Sequence, residues 1–476
     1  MRLVKSSLLA MAVVGAISTV GIAVAGQVTL TLQPGALANV VPAVDVDAQA
    51  RETAKSLVLV EYTLRNENIS REESGQGIVV SKDGVVLISG GLIPEALPKE
   101  YVKDLKIRLP GKNFTTVPAK LLGRTQNRLF AFVKAEKPIE AEVFKVPATG
   151  APALGETVFS AGILGKGSGY SPYAGVTTNK AVLELTYTVV VTQTGGLTRA
   201  NSPVFDRQTG NLVGITLSGF GGARQVEGED EQGTTYLPYD EVKDVFQDVP
   251  TQPFETRRPW AAVDGMTGLE EEVRELFHIT QPAAVAVGSV IPNEAADKAG
   301  LKPKDIILTV DGKPFSNSPV PNLAVMHFSR ALEKHKPGDE IVLGIVRDRG
   351  ETKLDVKLKL GTVPKGPGEM QHVFSPRIGI ATRDLVFGDA YARKLPQDTK
   401  GVVVALVKNG APASLGQTPL HANHLIIKVD DQPVEDQKQF LELMKKEEEK
   451  ADLKEMVFVV INPDGQTGVC RIDLSK

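Results

Sequence analysis

The chain runs to 476 residues with 42% hydrophobic residues, 45 Gly and 30 Pro, enough for several separate cores and, as a soft prior, about three domains. Its 54 basic and 57 acidic residues leave a formal net charge of -3, so no charge excess points to nucleic acid or to an anionic membrane surface. Cys470 is the sole cysteine, which excludes an intramolecular disulfide framework, a thiolate zinc cluster and a CxxC redox pair.

In chain order, Arg2 and Lys5 precede an uncharged apolar run over residues 8–25 that ends in Ala23-Val24-Ala25 before Gly26. This pattern reads as a secretory signal, with an uncleaved inner-membrane anchor as the competing reading; either way the body of the protein is exported. Residues 26–55 read as an N-terminal extension. From 56 to 250 short apolar or alternating runs, at 56–62, 77–81, 85–89, 130–134, 189–192 and 212–217, are separated by Gly, Pro, Asn and Asp turn signals. That spacing predicts strands closing into a sandwich or barrel. Pro250, Pro253 and Pro259 mark one linker, and Pro364, Gly366, Pro367 and Gly368 mark a second.

The two linkers leave C-terminal modules at 259–362 and 374–476 that look like distant copies of one unit. Val285-Ala286-Val287 precedes Ala295-Ala296, then Asp305-Ile306-Ile307-Leu308 and the turn Asp311-Gly312; Val402-Val403-Val404 precedes Pro412-Ala413, then Leu425-Ile426-Ile427 and the turn Asp430-Asp431. Each reads as strand, short helix, strand and tight turn, followed by a longer helix at 324–335 or 437–447. The order resembles the PDZ domain, which implies a small α/β module that takes an extended peptide C-terminus by strand addition, its terminal carboxylate held by loop amides. The apolar-Gly-apolar loop of that family appears as Arg377-Ile378-Gly379-Ile380 in the second module, which ranks first as a peptide site. The first module offers Trp260-Ala261-Ala262-Val263 in its place, with a Cβ at Ala262, and ranks second.

The earlier strands resemble the trypsin-like domain of the HtrA/Deg family. Gly75-Gln76-Gly77 opens the matching strand-turn-strand; Phe130-Ala131-Phe132, Leu154-Gly155-Glu156, Gly175-Val176-Thr177, Pro203-Val204-Phe205 and Gly210-Asn211-Leu212 follow in order. The resemblance covers nearly the whole exported chain. It implies an all-β trypsin-like double barrel followed by two PDZ-like small α/β domains, and a serine endopeptidase built on a hydroxyl, an imidazole, a carboxylate and oxyanion donors. Counted without gaps, the base falls on Gly91, the carboxylate on Leu129 and the nucleophile on Ala200; a deletion in the loop would instead put Ser202 at the nucleophile. All six histidines, His278, His327, His335, His372, His421 and His424, follow residue 277. A Ser-Lys dyad from Ser202, Ser168 or Ser218 with Lys166 or Lys180 is the remaining chemistry, and nothing local favours it over surface residues.

His421-x-x-His424 lacks a third ligand and reads as a turn rather than a zinc site. Cys470 reads as a buried thiol, the acidic run at 227–231 as a solvated loop, and Gly165-Lys166-Gly167-Ser168-Gly169 as a flexible loop without phosphate-loop spacing. No cofactor, metal or nucleic-acid partner is expected. The expected function is therefore an exported non-catalytic member of the resembled family, binding C-termini of unfolded or partner proteins as scaffold, regulator or chaperone. The alternative is an active endopeptidase in protein quality control with an altered site. The resemblance also implies a homotrimer through the barrels, joined in mixed oligomers with active relatives.

Overall fold

In the computed structural model the described residues are 43–476, apart from 111–114, 166–168, 195, 218–232, 318–319, 416, 450–452 and 476. The signal segment 1–25, most of the 26–55 extension, the acidic run at 227–231, and Lys166, Ser168 and Ser218 lie outside them.

Helix α1 (Val46–Ala54) opens on Asp45, whose carboxylate accepts the Asp47 and Ala48 amides and caps the helix. Ala50 and Ala54 enter a core shared with the barrels, so part of the segment read as an extension contributes to the fold. Strands β1 (Leu57–Arg65), β2 (Ser70–Val79), β3 (Val85–Ser89), β4 (Val102–Arg108), β5 (Thr116–Arg124) and β6 (Phe130–Ala135) close a barrel in the order β1-β2-β3-β6-β5-β4. Strands β7 (Thr157–Ile163), β8 (Pro172–Glu184), β9 (Thr188–Thr194), β10 (Pro203–Asp206), β11 (Leu212–Thr216) and β12 (Gly233–Pro238) close a second, in the order β10-β11-β12-β9-β8-β7.

Period-two alternation decides which core each side chain enters. Val58 and Val60 join Val86, Ile88 and Val133 in a cluster confined to the first barrel. Their neighbours Leu57 and Leu59 join Leu87, Phe159, Phe205 and Leu237 in a cluster drawn from both barrels. The seam between the barrels is therefore packed by residues one position out of phase with the first barrel's own core.

The first C-terminal module contains β13 (Pro259–Trp260), β14 (Val263–Asp264), β15 (Thr267–Gly268), β16 (Val285–Ala286), β17 (Ser289–Val290), β18 (Ile306–Val310), β19 (Lys313–Pro314), α2 (Leu323–Glu333), β20 (Glu340–Arg347), β21 (Thr352–Lys359) and β22 (Gly361–Thr362). The second contains β23 (Val373–Ser375), β24 (Ile380–Asp384), β25 (Val402–Val407), β26 (Leu425–Val429), β27 (Gln432–Pro433), α3 (Gln437–Glu448), β28 (Glu455–Ile461) and β29 (Thr467–Asp473). Their sheets correspond: β16-β18-β20-β21 in one and β25-β26-β28-β29 in the other, each with a short strand paired off the path. The turn at Asp311-Gly312 has φ 51° and 73°, the two positive angles of a type I′ hairpin. Helices α2 and α3 stand within one or two residues of the runs read from sequence. Phe328 and Phe440 are their fully buried anchors.

The first module docks on both barrels, with Gln126 of the first barrel donating to the Glu333 and His335 carbonyls at 3.0 Å each, and the second module docks on the first barrel. From the first module, Arg330 of α2 donates to both carboxylate oxygens of Glu241 beside the second barrel at 2.7 and 2.6 Å and to the Thr186 carbonyl at 2.8 Å, and Tyr187 donates to the Glu333 carboxylate. From the second module, the His372 amide donates to Glu100 of the first barrel at 2.5 Å, and Asn68 of that barrel bonds both the Val407 carbonyl at 2.8 Å and the Asn409 amide at 3.0 Å.

Candidate functional site

The segments carrying Gly91, Leu129 and Ala200 converge at the seam. The Gly90 amide donates to the Leu129 carbonyl at 2.7 Å. A Cβ at Gly90 would stand 2.0 Å from the Arg128 carbonyl, so only glycine lets the end of β3 close on the start of β6. Asn201, buried and at φ 63°, donates its side-chain amide to the Leu87 carbonyl at 2.8 Å and the Gln76 carbonyl at 3.2 Å. That ties the 198–202 loop to β2 and β3.

The donors of this loop point inward. The Thr198 amide and hydroxyl donate to Oγ of the fully buried Ser160 at 2.7 and 2.9 Å, and the Arg199 amide donates to the Tyr173 hydroxyl at 3.1 Å. Ser202 is 0% exposed. Its hydroxyl donates to the Arg199 carbonyl at 2.7 Å and accepts from Gln76 Nε2 at 2.8 Å, while Gln76 Oε1 accepts the Ile163 amide at 3.0 Å. Sequence reasoning missed Gln76 and Ser160, because a polar residue inside an alternating strand carries no mark of which loop it will meet. Leu129 packs against the shared core. Arg128 beside it commits its guanidinium to Glu95 and to the Thr256 carbonyl, each at 2.9 Å. A cleft of about 660 Å³ lies to the other side of Arg128, between the first barrel and the linker residues Phe254 and Glu369, and neither Gly91, Leu129 nor the 198–202 loop lines it.

The two proposed carboxylate loops share a conformation. Ala262 has φ 60° and Gly379 φ 77°, so the alanine stands where the glycine does, three residues after Pro259 and Pro376 respectively. Ile378 and Ile380 are fully buried, as is Ala262, with Ala261 nearly so. The adjoining strands differ. In the first module β14 pairs with β17 alone, and among the described residues the Ala261 and Ala262 amides have no acceptor. In the second module β24 pairs with β25 on one edge and with β23 on the other. The site ranked first from sequence therefore has its strand edge covered by a second strand, and the site ranked second has no second strand paired on β14, although Phe387 of the other module packs against its core. Trp260 meets Phe387 edge-on at 5.6 Å and Asp264 accepts from the Tyr391 hydroxyl at 2.7 Å, so the second module touches the first beside this loop.

His421 and His424 meet edge-on at 5.3 Å, and His424 Nδ1 lies 4.0 Å from Cys470 Sγ. Burial pushes the His424 imidazole down and the Cys470 thiol up, which suits a neutral packed pair. Among the described residues no three His, Cys, Asp or Glu side chains form a metal-binding group.

Residues 265–358 match the PDZ domain family. A protein of Hahella chejuensis named "Probable periplasmic serine endoprotease DegP-like" is 25% identical over 388 residues, 79% of this chain and 76% of that protein. One of the same name from Pseudomonas putida is 25% identical over 384 residues, covering 78% and 73%. Along most of its length the chain is HtrA/DegP-like. Among solved structures, "HtrA-type protease AlgW with decapeptide" aligns at a TM-score of 0.50 and 16% identity, over 68% of this chain and all of that one. A variant of that protease, also with a decapeptide, aligns at 0.51 and 16%, over 67% and 98%. These likenesses establish the fold, a double barrel followed by PDZ-like β-rich domains.

Proposed function

We infer that this HtrA/DegP-like chain is an exported, periplasmic peptide-binding protein without peptidase activity, a scaffold, regulator or chaperone that holds C-termini of unfolded or partner proteins. The observation that carries the reading is the 198–202 loop, whose one hydroxyl at the nucleophile's end of the chain is locked on Arg199 and Gln76, and whose Thr198 amide is spent on Ser160. Asn201 supports the ungapped count to Ala200: it takes a left-handed φ where the family pattern has glycine, and asparagine is among the few residues that tolerate it. Proton transfer at Gly91 and imidazole orientation at Leu129 have no chemical means.

Peptide capture falls to the first module, where the Ala261 and Ala262 amides have no acceptor among the described residues and no second strand is paired on β14, as strand addition requires. The second module is read as a further PDZ domain, and a barrel-mediated homotrimer with mixed assembly among active relatives completes the proposal. Active serine endopeptidase is the second reading, favoured by the names of the relatives.

The deciding assay is casein hydrolysis by the purified chain with and without a serine-directed phosphonate, alongside suppression of aggregation of a heat-unfolded client. The expected result is no cleavage, no labelling and client protection. Ala200→Ser alone should remain inactive, because triad members act as a unit. Cleavage that disappears in Ser202→Ala would make Ser202 the nucleophile and establish the second reading.

A further inference from the structure

We propose that β23 is an intramolecular ligand of the second module, a strand that fills the module's own peptide groove and must leave before any other peptide enters. The inference rests on the reading that these modules take peptides by strand addition. Its own support is geometric.

A strand has two edges. Those of β24 are taken by β25, with Ile380 opposite Val407, and by β23, with Ser375 opposite Ile380 and Val373 opposite Thr382. A peptide whose carboxylate rests on the loop before β24 must run antiparallel to β24, with its C-terminal end beside Ile380. β23 has that polarity and that register. At the loop the Gly379 amide, a donor suited to a terminal carboxylate, donates instead to the Ser375 carbonyl at 2.9 Å. Farther along, Gln437 at the start of α3 donates Nε2 to the Thr382 carbonyl at 2.5 Å and its backbone amide to Asp384 at 2.7 Å, closing the groove's other end. Val373-Phe374-Ser375 thus stands as the last three residues of a bound peptide would.

The plug is held from behind. His372, immediately before β23, donates its amide to Glu100 and sets its ring edge-on to Tyr101 at 5.4 Å, with Nδ1 3.2 Å from the tyrosine hydroxyl. Only residues 376–379 join β23 to β24. A short tether gives an effective concentration on the order of mM, so a peptide at micromolar concentration competes poorly. Withdrawal of β23 would move the residue that contacts the first barrel, which couples the groove to that contact.

The test uses the full chain and a fluorescent synthetic peptide of residues 366–375, read by anisotropy and by amide hydrogen exchange of 263–268 and 380–382. Three proteins are compared: wild type, Val373→Pro with Phe374→Pro, which cannot form the β23 ladder, and Val373→Cys with Thr382→Cys, which locks it. In the proline variant the Ile380 and Thr382 amides should exchange freely without peptide and become protected with it, and the peptide should bind at least about tenfold tighter than to wild type. The oxidised cysteine variant should show no peptide protection at 380–382 until reduced. Unchanged protection of 380–382 in the proline variant, no gain in its affinity, or peptide protection of 380–382 in the locked protein would each overturn the proposal. Failure of the first-module reading would show separately, as absence of peptide protection at 263–268 in all three.

Discussion

The two C-terminal modules share element order, sheet order and loop conformation, yet one has no second strand paired on β14 and the other covers its binding strand with β23. The difference traces to one carbonyl. In the first module the carbonyl of Arg258, the residue before Pro259, accepts the Val363 amide, and β13 pairs with β22. In the second the carbonyl of Ser375, the residue before Pro376, accepts the Gly379 amide of its own turn, and the preceding residues fold back along β24. Three residues ahead of the loop decide the state of the groove, while the sheet behind it stays the same. Strand edges are satisfied by whatever lies nearest, and here the nearest partner differs.

The sharpest way to break the likeness of the two loops is at their shared left-handed position. Gly379→Ala places a Cβ 2.1 Å from the Ala411 Cβ at φ 77°. Left-handed strain and overpacking together should cost the second module about 3 kcal/mol, read as loss of hydrogen-exchange protection confined to residues 373–474.

Acid should separate the docking contacts of the modules. His372 is pushed below the usual imidazole range, chiefly by burial and in part by Arg383, against the opposing pull of Glu100 and Glu67. Its folded state therefore takes up fewer protons than the unfolded state, and the clamp's stability, full above about pH 6.5, falls as pH drops through that value. Glu333 shifts the other way, raised mainly by burial against lowering by its Tyr187 hydrogen bond and by Arg258 and Arg330. Its ionised form is disfavoured in the folded state, so its contribution is lost as pH rises through the carboxylate range and regained on acidification. Between pH 7 and 5.5 exchange should increase at β23 but not at α2, and His372→Gln should remove the acid-induced part at β23. Equal acid response in that variant would detach the effect from His372.

Much of this fold was legible in the sequence because its signals are local. Apolar runs became β3, β6 and β11, the Asp-Gly turn became a hairpin, and helices at 324–335 and 437–447 appeared as α2 and α3. The convergence of the Gly90, Leu129 and Asn201 segments followed from a resemblance in order, not from anything in those residues alone. What stayed hidden depends on pairing at long range. Val373-Phe374-Ser375 is too short for periodicity to declare a strand, and whether it turns back on β24 or reaches another strand is settled by competition between acceptors. The inward turn of Thr198 toward Ser160 and of Ser202 toward Arg199 and Gln76 is equally invisible, since a serine in a chain bears no label of exposure.

The finest discrimination between the loops is Ala262→Gly. Ala262 holds φ 60° with its methyl fully buried in the first module's core. Glycine would release left-handed strain of about 1–2 kcal/mol, and would give up roughly 0.8 kcal/mol of methyl burial and about 0.5–1 kcal/mol of backbone entropy. These terms nearly cancel, so unfolding of the first module should shift by less than about 1 kcal/mol. Peptide protection at 263–268 should persist, because glycine keeps the conformation that aims the loop amides. A loss of stability well beyond that figure would mean that the buried methyl, rather than the backbone angle, holds this loop in place. The alanine would then be the first module's structural substitute for Gly379 and not merely a tolerated one.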